Sequence, residues 1–242
     1  QFPRNIGDIE WGPGVRITPY LGVSPGFSSG GPAVISRNGS TVAVLDDFDF
    51  AFDGGPVAGL NIEVRVCGRH SIVGALAVTT RGETVFDDAD IFDEDRFVAG
   101  GGNLFMAKLV GQIRFRQEHP RRHIWRVNSA LFLGPALVRD DPEDDLLGSD
   151  DDSSTHFAIN FGAEGELPLG GRHWSITAAF EDYVMFWDGD ALERRLLVRA
   201  RREFGPAALV SSDNGISNLF VFRFGVAYRF GEVMRPEGVS HH

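Results

Sequence analysis

The chain has 242 residues, 43% of them hydrophobic, and a formal net charge of −11. That length allows one domain or two small ones, the acidity argues against a nucleic-acid partner, and a single cysteine, Cys67, excludes an internal disulfide. No run of about 18 apolar residues exists, so no bilayer-spanning helix is predicted, while membrane strands, with their weaker signal, stay open.

No signal-peptide pattern is seen; Gln1 suits a mature N-terminus, and His241-His242 reads as a tag remnant at the end of a C-terminal extension, 231–242. Eight segments of alternating polarity follow in chain order, at 11–25, 46–67, 70–80, 104–117, 124–139, 155–168, 173–187 and 218–230. A period of two sends successive side chains to opposite faces of a strand. In the first segment Val15, Ile17, Pro19, Leu21 and Val23 oppose Arg16, Thr18, Tyr20 and Gly22. In the second, Ala58, Leu60, Ile62, Val64 and Val66 oppose Gly59, Asn61, Glu63 and Arg65, with Cys67 as a small residue at the strand end. The third is apolar or small on both faces and has no firm phase. In the fourth, Phe105, Ala107, Leu109, Gly111, Ile113 and Phe115 oppose Met106, Lys108, Val110, Gln112, Arg114 and Arg116. The fifth carries Arg126 near its start and Pro135 in its middle, where a bulge or an unpaired strand end must absorb the missing donor. In the sixth, Phe157, Ile159, Phe161, Ala163 and Leu167 oppose Ala158, Asn160, Gly162, Glu164 and Glu166.

In the seventh segment Glu181 takes the polar face, and Asp182 continues the apolar phase of Trp174, Ile176, Ala178 and Phe180. Either a bulge re-phases Asp182, or the strand has by then reached a polar boundary. The break at 188–217 contains Ala191 to Phe204, with Leu192, Leu196 and Arg199 at helical spacing; a short amphipathic helix is favoured over a strand extension. The last segment places Phe220, Phe222, Phe224, Val226, Tyr228 and Phe230 on one face and Arg223 on the other.

The breaks alternate in length. Gly68-Arg69, Glu118 to Arg122 and Leu169 to Arg172 are short and basic. The first three long breaks are acidic, with clusters around Asp46 to Asp53, Asp87 to Asp95 and Asp140 to Asp152. Short turns at one end and long loops at the other suit an antiparallel up-and-down barrel, with the turns and both termini periplasmic and the loops extracellular. The polar faces then form a lumen charge network of Arg16, Glu63, Arg65, Lys108, Arg114, Arg126, Glu164, Glu166, Glu181 and Arg223. An ionised group in low dielectric must be paired or solvated, and an eight-stranded barrel is just wide enough for its own side chains to fill. A plugged lumen is the expectation, and a small pore the alternative. Trp11, Trp125 and Trp174 fall at one level, in phase with the apolar face, as an aromatic girdle does. Phe48, Phe50 and Phe52 suit the opposite girdle. A soluble lipocalin-like barrel, with polarity reversed, is the non-membrane alternative.

The terminal strand, through Phe222, Phe224, Tyr228 and Phe230, resembles the assembly signal of bacterial outer-membrane barrels. Residues 11–230 together are similar to the small eight-stranded members: the outer-membrane protein A transmembrane domain, outer-membrane protein X and the opacity-protein group. The resemblance implies an all-β, eight-stranded antiparallel transmembrane β-barrel over 1–230 in a Gram-negative outer membrane. It implies outer-membrane lipid, lipopolysaccharide and the assembly machinery as partners, with an extracellular ligand or protein reached through the loops. The segment after residue 230 is not expected to be a peptidoglycan-binding domain, so the anchoring role of the larger members is not implied.

Motifs for other chemistry are sparse. There is no Gly-x-Ser-x-Gly elbow and no Cys/His metal spacing, so no cofactor or metal is expected. His70, His119, His123 and His173 sit at the short turns. Ser153, Ser154 and His156 are close in sequence and form the only candidate for a lipid-modifying hydrolase. Asp144 to Asp152 lacks the spacing of a calcium loop and is expected to be a solvated acidic loop, with loose divalent-cation binding the alternative. The expected function is non-enzymatic: structural work, or surface interaction through the loops.

Overall fold

A computed structural model describes residues 14–67, 69–81, 84–86, 97–99, 102–116, 128–142, 153–169, 173–187, 193, 197, 200–201, 204–212 and 215–230. The strands are β1 (Val15–Arg37), β2 (Ser40–Cys67), β3 (His70–Arg81), β4 (Thr84–Phe86), β5 (Phe97–Ala99) and β6 (Gly102–Arg116). They continue with β7 (Asn128–Pro142), β8 (Ser154–Pro168), β9 (Trp174–Trp187), β10 (Ala208–Ser212) and β11 (Gly215–Phe230). Neighbours run β1-β11-β9-β8-β7-β6-β3-β2, and β2 pairs back with β1, so the sheet closes on itself as an antiparallel barrel of eight strands. Closure removes the unpaired edges that an open sheet leaves.

The strands are longer at one end than the alternation indicated. The expected loop between the first two segments is absent, because β1 and β2 pair from Val15↔Val64 to Arg37↔Ser40, with register shifts between Gly31 and Ala33 and between Ile35 and Ser36. The reversal is a two-residue turn at Asn38 and Gly39, with φ of 51° and 79°. Both central residues are left-handed, as a type I′ hairpin demands, and Asn-Gly is its preferred sequence. Pairing with β11 stops at Val23, so the rest of this hairpin stands beyond the ring. β10 adds to one side of it and β4 to the other, with β5 beyond β4, making a small sheet above the long-loop end. Part of the break at 188–217 is therefore strand, while Glu193, Leu197, Ala200, Arg201 and Phe204 are helical. Leu192, Leu196 and Arg199, expected on one helix face, lie outside the described residues.

Around the ring the polarity is inverted relative to a soluble barrel. Leu21 is 71% exposed on the outer face and Glu181 is 0% exposed within. The lipocalin-like alternative fails on that contrast. Ser71, Val73, Ala75 and Thr79 of β3 are buried, which gives the third segment the phase its composition hid. Glycine makes room where rings must lie flat against the inner wall. A Cβ at Gly59 would enter the Tyr20 ring, and one at Gly162 would come within 2.6 Å of Phe132 Cζ.

Pro135 produces no register shift. The β6–β7 register runs from Lys108↔Ala136 to Gly111↔Leu133 unchanged, but the two rungs between them, at Leu109 and Val110, are missing. Pro135 has no amide hydrogen to offer that neighbour, while on its other side it stays in register with Ile159. Asp182 is not re-phased either. It pairs with Phe161 and Phe220 in unbroken ladders and keeps the outward phase. The residue is nonetheless buried, at 5% exposure, and its Oδ1 has no hydrogen-bond partner among the described residues. Eight residues beyond Trp174 correspond to about 26 Å of strand, or about 20 Å of height at a 40° tilt, close to the upper edge of a ~25 Å apolar band.

Candidate functional site

The inward face has two tiers. Toward the hairpin end it is apolar: Val57, Leu104, Met106, Val138, Met185, Leu219 and Val221 pack with Tyr20 and Tyr183. Ile35, Ala200 and Ala208 close this tier from above. Full burial of each large side chain contributes about 1.5–3 kcal/mol. Toward the short-turn end the inward face is charged.

The charged tier starts from Arg16 and Glu63, which face each other across one β1–β2 rung. Arg16 Nε lies 2.6 Å from Glu63 Oε2, and its Nη2 donates across the lumen to Glu164 Oε1 at 2.6 Å. Arg114, from β6, grips the same Glu63 with a bidentate fork, Nε donating to Oε1 at 2.8 Å and Nη2 to Oε2. Its Nη1 donates to Glu166 Oε2 at 2.5 Å. The planar guanidinium suits this bridging, since its fixed fork can hold two carboxylates at once. Ser71 donates to Glu63 Oε1 and Ser175 to Glu166 Oε1, each at 2.7 Å. Arg229, less buried, reaches Glu166 Oε1 at 3.1 Å from the mouth.

A second knot sits where the tiers meet. Glu181 accepts from Lys108 Nζ at 2.5 Å, Arg223 Nε at 2.5 Å and Tyr183 OH at 2.9 Å. Arg223 Nη2 also donates to Glu164 Oε2 at 3.0 Å, tying the knots together. With its carbonyl oxygen turned to Arg223, Asn61 accepts from Nη2 and Nη1 at 3.0 and 3.1 Å. The cations rest on aromatic faces: Arg223 lies 4.9 Å from the Tyr20 centroid, and Lys108 lies 4.8 Å from that of Phe132. Glu63, Glu164, Glu166, Glu181, Arg114 and Arg223 each meet several partners, the arrangement that offsets desolvation, while Lys108 pairs with Glu181 among the described residues.

Of the predicted lumen residues, Arg16, Glu63, Lys108, Arg114, Glu164, Glu166, Glu181 and Arg223 come together in this network. Arg65 is half-buried at the mouth, and Arg126 lies outside the described residues. The sequence reading missed Arg229, Ser175 and Tyr183 as partners, although each shares the inward phase of residues it did name, and it missed Ser71, whose segment had no phase to read.

Outward, Trp174 and Tyr228 are opposite in the β9–β11 ladder, with centroids 4.7 Å apart, and Phe230 meets Tyr228 at 4.7 Å. Phe222 meets Phe180 at 5.0 Å, while Phe224 is 65% exposed. Trp11 and Trp125 lie outside the described residues, as do the side chains of Phe48, Phe50 and Phe52. At the long-loop end Ser154 Oγ lies 2.8 Å from His156 Nε2, and Asp140, fully buried, stands opposite Ser154. Ser153 Oγ accepts from Arg139 at 3.1 Å. The acidic loop 144–152 is not described. Among the described residues no His/Cys/Asp/Glu group has the arrangement of a metal site.

No protein-family model matches the chain, and no curated protein does. Solved structures do. The outer membrane protein OprG from Pseudomonas aeruginosa matches at a TM-score of 0.58 and 10% identity, over 92% of this chain and 98% of that one. The outer membrane protein AlkL in lipid bilayers matches at 0.47 and 14% identity, over 98% and 99%. Ail, the attachment invasion locus protein of Yersinia pestis, matches at 0.39 and 13% identity, over 90% and 99%. The likeness to OprG carries the fold: an eight-stranded antiparallel up-and-down transmembrane β-barrel of the outer-membrane type.

Proposed function

We propose that residues 1–230 form a non-enzymatic outer-membrane barrel whose lumen is closed to ions and whose long-loop end works at the cell surface. The observation that carries this reading is the ion-pair network. Side chains from β1, β2, β6, β8, β9 and β11 meet across the axis beneath an apolar tier, and a barrel of eight strands is just wide enough for its own side chains to fill. The protein's work is then structural, or lies in surface interaction through the hairpin and the acidic loops. Phe222, Phe224, Tyr228 and Phe230 serve the assembly machinery, and the outer belt meets lipid and lipopolysaccharide. The Trp174 end faces the periplasm, and the Asn38–Gly39 turn faces outward.

Single-channel recording in planar bilayers tests the closure: the wild type stays silent, and steady ion conductance rejects the plug in favour of a pore. Orientation has a built-in probe, since Cys67 is exposed at the short-turn end. A membrane-impermeant thiol reagent leaves Cys67 unlabelled in intact cells, and labels Asn38→Cys in a Cys67→Ser background. The opposite pattern inverts the barrel.

A further inference from the structure

The outer wall is not evenly studded. Two rows of outward side chains cross it from β2 to β8. One reads Leu60, Leu76, Ala107, Leu137, Phe157; the row beneath reads Ile62, Gly74, Leu109, Pro135, Ile159. Gly74 and Ala107 are diagonal neighbours, and the flat Pro135 ring continues the depression where the ladder lacks two rungs. The result is a groove of about 550 Å³. Its rim is built of leucines that stand out from the wall, Leu76 being 68% exposed and Leu109 59%. That volume falls in the ~300–1,000 Å³ range of small-ligand sites. Lys108 is the one charged residue lining it, and its Nζ is bound to Glu181 inside the barrel. The groove therefore offers hydrocarbon contacts only.

What lies beneath the groove gives the rest of its chemistry. On the outer face of β3 the column downward from Gly74 is Ile72 and then His70, both exposed, and Arg69 follows at the turn. Four residues of strand place His70 about 13 Å below Gly74. Arg69 is exposed and makes no ion pair among the described residues. An exposed arginine therefore stands at the turn that leads into β3, at the short-turn end of the same strand that carries the slot.

We propose that this face holds one anionic phospholipid of the short-turn leaflet, with its phosphate at Arg69 and His70 and one acyl chain seated in the groove. The proposal rests on the membrane reading above and adds a ligand to it. In the groove an acyl chain is flanked by the Leu76 and Leu109 rim and backed by Gly74, Ala107 and Pro135, so dispersion contacts that a neighbouring lipid would otherwise supply come from a rigid wall. The phosphate selects the anionic class through the guanidinium.

The test uses the full chain reconstituted in vesicles of phosphatidylcholine doped with phosphatidylglycerol whose acyl chain carries a diazirine. Cross-links map to the strands around Gly74, Ala107 and Leu137. Gly74→Leu fills the slot from within, and an added Cβ there meets no atom within 4 Å, so the barrel itself is undisturbed. It lowers the cross-link yield roughly tenfold, equivalent to about 1.4 kcal/mol of seating energy. Gly165→Leu, at an outward site also free of contact under 3.9 Å, leaves the yield unchanged. Arg69→Glu lowers it for phosphatidylglycerol and leaves the low yield of an equally labelled phosphatidylcholine as it was. Cross-links spread evenly around the belt, or equal effects of Gly74→Leu and Gly165→Leu, overturn the seat. Competition by lipopolysaccharide but not by unlabelled phosphatidylglycerol overturns the choice of lipid. Absence of any cross-link, with the protein recovered in water without detergent, overturns the membrane reading instead.

Discussion

Glu181→Gln keeps the shape of the side chain and removes its charge, which makes it the cleanest probe of the upper knot. In the native barrel this carboxylate is fully buried and meets Lys108 and Arg223, each at 2.5 Å. At an effective dielectric of about 20, a pair at 2.5 Å is worth about 7 kcal/mol of Coulomb energy before desolvation. Relief of the carboxylate's own desolvation, and the amide's residual hydrogen bonds, return part of this. Measured losses on breaking one side of a buried pair are about 3–5 kcal/mol. Arg223 retains Glu164 at 3.0 Å and Asn61, whereas Glu181 is the carboxylate within ion-pair distance of Lys108 among the described residues. The loss therefore falls mainly on Lys108. At an m-value of about 2 kcal/mol/M, 4 kcal/mol lowers the urea midpoint by about 2 M. The assay is urea unfolding in lipid vesicles, followed by tryptophan fluorescence and by the gel shift of the folded barrel. The second arm is Lys108→Met with Glu181→Gln, which removes the orphaned charge and recovers at least half the loss, because two apolar or neutral partners cost less than one unpaired ion. A single-variant loss under about 1 kcal/mol, or no recovery in the double variant, refutes the reasoning; either means that water already solvates this layer.

Other outcomes follow from particular residues. Phe230→Ala lowers the membrane level of the protein more than Phe224→Ala, although Phe224 is the more exposed ring, 65% against 49%; equal levels in vivo reject a recognition role for the terminal aromatic. Asp182→Leu raises the urea midpoint by an amount equivalent to about 1–3 kcal/mol, because a carboxyl oxygen without a partner is replaced by an apolar group on the outer face; a lowered midpoint shows that a partner was lost. Gly39→Val forces a branched residue to a φ of 79° and costs about 1–2 kcal/mol locally. Amide exchange then quickens near the hairpin tip while the ring strands keep their protection, and a uniform rise through the barrel rejects that locality. Ser154→Ala leaves the lipid A mass spectrum of expressing cells unchanged, and any lost or gained acyl chain makes the Ser154–His156 contact a catalytic pair.

The ring was legible because its two faces differ chemically at nearly every position. Lys108, Gln112 and Arg114 against Leu109, Ile113 and Phe115 leave one phase only, and the same holds for Glu164 and Glu166 against Phe161 and Leu167. The third segment resisted because Ser71, Val73, Ala75 and Thr79 face other small or apolar side chains, so its phase is set by neighbours and not by its own pattern. The hairpin beyond the ring was overlooked for a different reason. Its arms are rich in Gly, Ser and Asp, which read as a loop, yet Asn38-Gly39 between alternating residues was a direct signal for a type I′ turn. The apolar tier has the same origin. Met106, Val138, Met185 and Leu219 sit in the inward phase, but an expectation of a polar lumen gave no reason to gather them. Distances across the axis, such as Lys108 to Glu181, depend on closure of the whole ring, and no strand carries them alone.

The ion pairs have a bearing on the order in which the barrel can be made. Arg16 with Glu63 and Arg223 with Glu181 join strands adjacent in the ring, but Arg114 with Glu166, Lys108 with Glu181 and Arg16 with Glu164 join strands that are not. A single hairpin entering the bilayer alone would carry charges whose counter-charges are still elsewhere on the chain. β6 would bring Lys108 and Arg114 into hydrocarbon before β8 and β9 arrived with Glu166 and Glu181. Each such ion is expensive at the bilayer centre, so hairpin-by-hairpin insertion is disfavoured at its earliest steps. The cheaper route keeps the inward faces wet until the strands have gathered, then expels the water as β1 meets β11. Insertion and closure become one cooperative event, and a chain that cannot complete the ring has no comfortable place in the membrane at all.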